Sequence, residues 1–158
     1  MWKIVPGLYL GTKEDSENVA ALKDAGVTDV VNCAAELPCL FEGVFRYFHL
    51  SLKDPDERLE RRLPKTLAFI DRGRKDGAVL VHCAGAISRS PAVILAYLCH
   101  SGSTLDQAAE TIQPVVQTRP NVAFLQQIRD YFGLSLSDDE MERLLWKLGD
   151  KIAGKDSL

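Results

Sequence analysis

The sequence predicts an α/β fold: a single domain with a mostly parallel central sheet of about five strands, flanked by helices. Three observations predict it. Valine-rich runs at residues 27–32 and 78–81 read as buried strands. Apolar stripes at helical spacing alternate with them, as in Val19, Leu22 and Ala25, then Leu59, Leu63, Leu67 and Ile70. Residues 79–91 pass from apolar β-formers through a loop of small residues into a helix pattern, the strand–loop–helix unit of such folds.

Each element follows from local signals. Lys3-Ile4-Val5 and Leu8-Tyr9-Leu10 flank Pro6-Gly7 and form a small hairpin or bent edge strand. Residues 16–25 make a helix that Gly26 ends. Strand 27–32 follows, and residues 45–52 alternate loosely as another strand. A polar turn comes next, at residues 53–58. Pro64 is tolerated only near a helix start, so the next helix is expected over 64–75, after a looser turn. Residues 78–81 form the central strand. Residues 91–100 are a helix apolar on most sides, with Ser90 as its expected cap. Thr104 and Gln107 make a capping box for a helix ending near 113, before Pro114. Asn121 opens a helix with Phe124, Leu125, Ile128, Tyr131 and Phe132 on its apolar side.

Ser137 and Glu140 form another capping box. The last helix carries Met141, Leu144, Leu145, Leu148 and Ile152 at a period of 3.6. The expected division is a domain at 1–134 and a helical extension at 135–158, packed on the domain or used for association, a homodimer included. The tail from Ala153 to Leu158 is expected to fray.

Residues 79–91 also carry the chemistry. Such a loop points a row of backbone N–H groups at one spot and adds the positive end of a helix dipole, which together bind an anion. The loop begins with Cys83 and ends with Arg89. A cysteine beside a helix N-terminus and an arginine is favoured as thiolate, the nucleophilic form. The arginine fork matches two phosphate oxygens. The stretch reads as a cysteine aimed at a bound phosphoryl group.

Composition narrows the options. The 158 residues suit one core, and 46% apolar residues with mixed charges describe a globular chain. A net charge of −3 with no Lys/Arg run argues against nucleic acid or a membrane surface as partner. There is no N-terminal signal sequence and no apolar run long enough to cross a bilayer, so a cytoplasmic or nuclear location is expected. Cys33, Cys39, Cys83 and Cys99 show neither Cys-x-x-Cys pairing nor histidines at zinc spacing, so neither metal nor cofactor is expected. If the strands of Cys33 and Cys83 are neighbours, a reversible disulfide between them is one option.

His82-Cys83, five residues, then Arg89-Ser90 resembles the signature of cysteine-dependent protein tyrosine phosphatases, and Ser88-Arg89-Ser90 resembles their dual-specificity branch. The resemblance runs from about Val5 to about Tyr131. It takes in residues 6–11, Val30 to Ala34, the Lys53-Asp54 region, and Arg119-Pro120-Asn121 through Phe124. It implies a phosphate-binding loop of Ala84, Gly85, Ala86, Ile87, Ser88 and Arg89, with Cys83 as nucleophile. Asp54 matches the family's general acid, with Asp56 as the alternative. It further implies that His82 supports the thiolate environment, that the Ser88 hydroxyl faces the sulfur, and that Asn121 hydrogen-bonds toward the loop.

The implied activity is hydrolysis of phosphotyrosine and phosphoserine/phosphothreonine on protein substrates, through a cysteinyl-phosphate. The family usually has glycine where this chain has Ala86, one residue after its own Gly85, and often glycine at Ala123. If the third loop position needs positive φ, a Cβ there costs about 1 kcal/mol. Those alanines support a second reading, a phosphoprotein-binding pseudophosphatase. Arg119 is a candidate for contact with a second phosphate or an acidic substrate.

Overall fold

The computed structural model describes residues 1–149. Strands β1 (Trp2–Val5) and β2 (Leu8–Gly11) form the expected hairpin around Gly7. Helices α1 (Lys13–Glu17) and α2 (Val19–Asp24) follow, then β3 (Val27–Ala34) and β4 (Arg46–Leu52). Helix α3 (Leu59–Asp76) leads into β5 (Ala78–His82), and four helices follow among the described residues: α4 (Arg89–His100), α5 (Leu105–Ile112), α6 (Val122–Phe132) and α7 (Asp138–Leu148).

The sheet order is β1-β2-β5-β3-β4. Among the described residues only the β1–β2 pair is antiparallel; β2–β5, β5–β3 and β3–β4 are parallel. β5 is central and all five of its residues are buried. Successive side chains of a strand face opposite sides. Val79 and Val81 therefore join the large core built with α3 to α7, while Leu80 joins a smaller one with Val30, Leu22 and Phe45. Both faces are covered, which is why β5 reads as an unbroken apolar run.

Two helical segments before β5 differ from expectation. Residues 16–25 belong to two short helices rather than one. Thr12 caps the first in a capping box with Asp15, and the Asn18 side chain accepts from Ala21 N–H to start the second. Helix α3 begins at Leu59, so Pro64 lies in its second turn. An interior proline costs about 3 kcal/mol. Leu59 and Leu63 are both wholly buried, at about 1.5–3 kcal/mol each, and outweigh it. The first turn is also held by Glu60 N–H donating to Gln127 Oε1 at 2.8 Å.

Helix α7 packs its buried residues Met141, Leu144 and Leu148 into the large core beside α5 and α6. That stripe is consumed within the chain, so a homodimer through it would have to use other residues of α7. Ile152 and the tail 153–158 lie outside the described residues.

Helix α3 meets the sheet through Gly73. A Cβ there would stand 2.6 Å from Val79 Cγ2 and 3.0 Å from Asp29 Cβ. Helix propensity alone favours alanine by about 1 kcal/mol. Overpacking costs about 1–3 kcal/mol and wins. Gly73→Ala is expected to lose up to about 2 kcal/mol in urea denaturation, the overpacking cost less the gain in helix propensity; a gain in stability would show that the α3–sheet contact is looser than described.

Candidate active site

The site lies at the C-terminal end of β5, where open α/β sheets hold ligands. Cys83 is the first residue beyond the strand and is buried. Residues 84–88 form the loop, and α4 begins at Arg89. Among the described residues, no protein group accepts from the backbone N–H of Ala84, Gly85, Ala86, Ile87 or Ser88. The loop's carbonyls, by contrast, are held from three directions. Ala84 C=O accepts from Lys13 N–H at 2.9 Å, Ile87 C=O from Arg119 N–H at 2.8 Å, and Ser88 C=O from Ala92 N–H at 3.1 Å. With these three carbonyls engaged outside the loop, its N–H groups are free to line an anion cradle.

Ala86 is the residue with positive φ in this loop, at 57°, and it is buried. The left-handed position therefore falls where the chain has alanine, and Gly85 has no positive φ. The cost is on the order of 1 kcal/mol. It is tolerated because both ends of the loop are fastened.

Two serines exchange the places expected of them. The helix starts at Arg89, not Pro91, so Ser90 lies in its first turn, wholly buried. Ser90 Oγ is 3.0 Å from Cys83 Sγ. Ser88 does not face the sulfur. Its hydroxyl donates to Asp54 Oδ1 at 2.9 Å and accepts from Asn121 N–H at 2.9 Å. Asn121 does tie to the loop, but through its backbone; its side chain accepts from Ala123 N–H and caps α6.

The acid turn has a clear division. Asp56 is buried and accepts from Lys53 N–H at 2.9 Å, Arg58 N–H at 3.0 Å and the Arg58 guanidinium at 2.6 and 2.9 Å. Those Arg58 hydrogen bonds hold its carboxyl well below the usual carboxylate range. Gln127 Nε2 donates to Asp56 C=O at 2.8 Å, clamping the turn to α6. Asp56 thus builds the turn, and the exposed Asp54 is the acid presented to the loop.

Arg89 Nη1 donates to both carboxylate oxygens of Glu36 and to Leu52 C=O at 3.1 Å. The guanidinium in turn holds the Glu36 carboxyl below its ordinary value. Nε and Nη2 of Arg89 have no acceptor among the described residues, so part of the fork remains open. An open cleft of about 530 Å³ lined by Ala35, Glu36, Leu52, Lys53, Asp54 and Arg89 adjoins it.

His82 is buried, with Nδ1 3.3 Å from Cys83 C=O, and burial pushes its pKa down, favouring the neutral ring. Cys33 follows the Asn32–His82 register pair, so it lies beside Cys83 on the neighbouring strand. Burial pushes its thiol well up, reinforced by the Cys83 sulfur, which keeps it protonated.

Sequence reading missed Glu36 and underread Ser90. Nothing local marks Glu36, whose partner is distant along the chain. Ser90 was findable from an earlier helix start.

Comparison with known proteins shows the family and the fold. The family model described as "Dual specificity phosphatase, catalytic domain" matches residues 8–133. Human dual specificity protein phosphatase 6 is 36% identical over 135 residues, which cover 82% of this chain and 35% of that protein. MAP kinase phosphatase with leucine-rich repeats protein 2 of Dictyostelium discoideum is 34% identical over 131 residues, 81% of this chain and 19% of its own length. The chain thus spans about a third or less of these relatives. Among solved structures, human DUSP28 matches with a TM-score of 0.76 at 30% identity, covering 84% of this chain and 96% of that one. A mouse putative dual specificity phosphatase complexed with zinc tungstate matches at 0.77 and 28% identity, covering 84% and 86%. This chain belongs to the dual specificity phosphatase family, within the protein tyrosine phosphatase superfamily.

The Asp56–Arg58 contact sets a pH-dependent stability. A depressed carboxyl contributes stability that is present above its unfolded value, about pH 4, and is lost as pH falls through the lower folded value. Asp56→Asn is expected to cost about 2 kcal/mol at neutral pH, with the gap to the parent closing in acid. A gap in urea denaturation that stays constant down to about pH 2 would remove the ion pair from this account.

Proposed function

We propose that this chain hydrolyses phosphotyrosine and phosphoserine/phosphothreonine on protein substrates, through a cysteinyl-phosphate intermediate. The observation that carries the reading is the cradle: five free N–H groups and an open arginine fork around one buried sulfur. The Cys83 thiolate attacks phosphorus, forming the S–P bond as the ester P–O bond breaks. The loop N–H groups and Arg89 hold the equatorial oxygens and stabilise charge in the transition state. Glu36 and Leu52 orient the guanidinium through one nitrogen and leave the other two for phosphate. Asp54, tied to the loop by Ser88, gives its proton to the leaving oxygen. Asp54 then takes a proton from water, which attacks phosphorus and breaks the S–P bond. Ser90 donates a hydrogen bond to the departing sulfur. His82 fixes the backbone at Cys83.

Substrate breadth is supported by the open cleft beside the loop. No insertion between strand and loop builds a deep aryl slot, and the adjoining cleft is open, so short phosphoserine and phosphothreonine side chains reach the sulfur. The bound zinc tungstate of the similar mouse protein is consistent with a cradle for tetrahedral oxyanions. Residues 1–134 form the domain that does this work, with α7 as an extension packed on it.

A pseudophosphatase reading has one specific support, the strained alanine in the loop. A structural relative, a human tyrosine phosphatase-like serine/threonine/tyrosine-interacting protein, carries a name of that kind.

Turnover of p-nitrophenyl phosphate, inhibited by vanadate, decides between them. Cys83→Ser and Arg89→Ala are each expected to remove more than about 10³-fold of the rate. Asp54→Asn should remove about 10²-fold or more with poor leaving groups and flatten the basic limb of the pH profile. No turnover above the Cys83→Ser control, with phosphopeptide binding intact, would establish the binding module instead.

A further inference from the structure

The proposed acid, Asp54, sits on a turn whose placement depends on a side chain outside it. Residues 53–58 are braced internally. The Asp56 carboxylate accepts from the N–H groups of Lys53 and Arg58 and from the Arg58 guanidinium. Arg58 Nη2 also donates to Ser51 C=O at 2.9 Å, near the end of β4. The turn is thus a stiff unit hung on the end of a strand.

Its other flank faces an open cleft of about 730 Å³ toward α6, with Lys53, Pro55 and Glu57 on one side and Ala123, Gln126 and Asp130 on the other. Dispersion contacts need close approach, so an open cleft leaves the turn's angle unset on that side. Among the described residues, one hydrogen bond joins the turn to α6. It runs from Gln127 Nε2 to Asp56 C=O at 2.8 Å. The same amide is held at its other atom, since Oε1 accepts from Glu60 N–H in the first turn of α3 at 2.8 Å. Both partners are backbone groups, one acceptor and one donor, and an amide supplies the matching pair. The helix beneath is firm, with Phe124, Leu125 and Ile128 wholly buried.

Helix α6 also reaches the acid by a second route. Asn121 N–H, at its cap, donates to Ser88 Oγ, and Ser88 donates to Asp54 Oδ1. The bonds close a ring from the Asp54 side chain through Ser88, Asn121, α6, Gln127 and Asp56 back along the turn. The two grips differ in kind. The Ser88 bond acts on the carboxyl, which changes protonation in each half of the proposed reaction. The Gln127 bond acts on the main chain and is the same in both halves.

We propose that Gln127 is a positioning residue for Asp54. It neither gives nor takes a proton. It sets, through the Asp56 carbonyl, the distance from the Asp54 carboxyl to the leaving oxygen. Proton transfer needs about 2.6–3.2 Å between the heavy atoms, and an error of about 1 Å costs on the order of 10²-fold. The proposal rests on the phosphatase reading and adds to it the group that aims the acid.

The test compares two substrates that differ in their need for that acid. p-Nitrophenolate departs with little help, whereas phenol, like tyrosine, ionises near about pH 10 and needs a proton as it leaves. The quantity read is kcat/KM, which ends with departure of the leaving group and leaves hydrolysis of the phosphocysteine out. Gln127→Met keeps the length and removes both hydrogen bonds. It is expected to lower kcat/KM for phenyl phosphate by about 10- to 100-fold and for p-nitrophenyl phosphate by less than about twofold. Vanadate inhibition, which reports the cradle, should be unchanged. Gln127→Glu keeps an acceptor for Glu60 N–H but, ionised, has no proton for Asp56 C=O, so it should share the selective loss. In an Asp54→Asn background, Gln127→Met should add no further loss on phenyl phosphate. An equal loss on the two substrates in both variants, no loss on phenyl phosphate, or full additivity with Asp54→Asn overturns the proposal and leaves the phosphatase reading intact. Parent-like behaviour of Gln127→Glu moves the effect to the α3 bond and also overturns it. Absence of p-nitrophenyl phosphate turnover in the parent sinks that reading, and this inference with it.

Discussion

The cradle depends on where five carbonyl and amide groups of one loop are forced to look. A loop left to itself satisfies its N–H groups with its own carbonyls or with nearby side chains. Here α1, the α5–α6 loop and α4 each take a carbonyl of residues 84–88 from outside. The N–H groups of residues 84–88 are left without an acceptor among the described residues. Polar groups without protein partners carry a cost that only water or an anion relieves. The parallel sheet makes this geometry reachable, because it delivers Cys83 at the edge while the neighbouring β3 and β2 hold the strand before it.

That arrangement explains why a left-handed alanine survives. A strain of about 1 kcal/mol would let an isolated loop relax to another shape. Fastened carbonyls on both sides of Ala86 close off those alternatives. The same fastening links the site's parts mechanically: Ser88 joins Asp54 to Asn121, and the Asn121 segment continues directly from Arg119, which holds Ile87. The acid turn is steadied separately, by Asp56, Arg58 and Gln127. Two neighbouring aspartates thus have opposite fates. One is buried among donors and fixed as carboxylate; the other is left exposed at the loop.

The strands and the order of elements were legible because burial on both sheet faces leaves a strong apolar signal at 27–32 and 78–81. The boundaries were less so. Periodicity cannot see that Asn18 caps a new helix, nor that Leu59 and Leu63 outweigh Pro64. At the site, one boundary placed two residues late at α4 reassigned both serines. Each helical residue turns by about 100°, so beginning at Arg89 swings Ser90 onto the sulfur and leaves Ser88 outside the helix. Cys83, Arg89 and Asp54 were legible from their motif. Glu36 was not, since its contact with Arg89 joins segments beyond the ends of two neighbouring strands, β3 and β5, that lie far apart in the chain, and leaves no trace in local spacing.

The Arg89–Glu36 pair raises a further point of physics. A guanidinium whose donors are all taken by a carboxylate is a poor receptor for phosphate. The geometry answers this by concentrating Glu36 and Leu52 on one nitrogen, Nη1. Arg89 is mostly enclosed while Glu36 is half exposed, so water screens the carboxylate more than the guanidinium. The pair therefore spends little of the arginine's attraction for a dianion, yet removes much of its rotational freedom before ligand arrives. In the proposed reaction, orientation is what a transition state with charge spread over three oxygens demands most of such a group. The enclosed arginine is fixed by a partner that sits partly in water, and the face turned to the cradle keeps its donors.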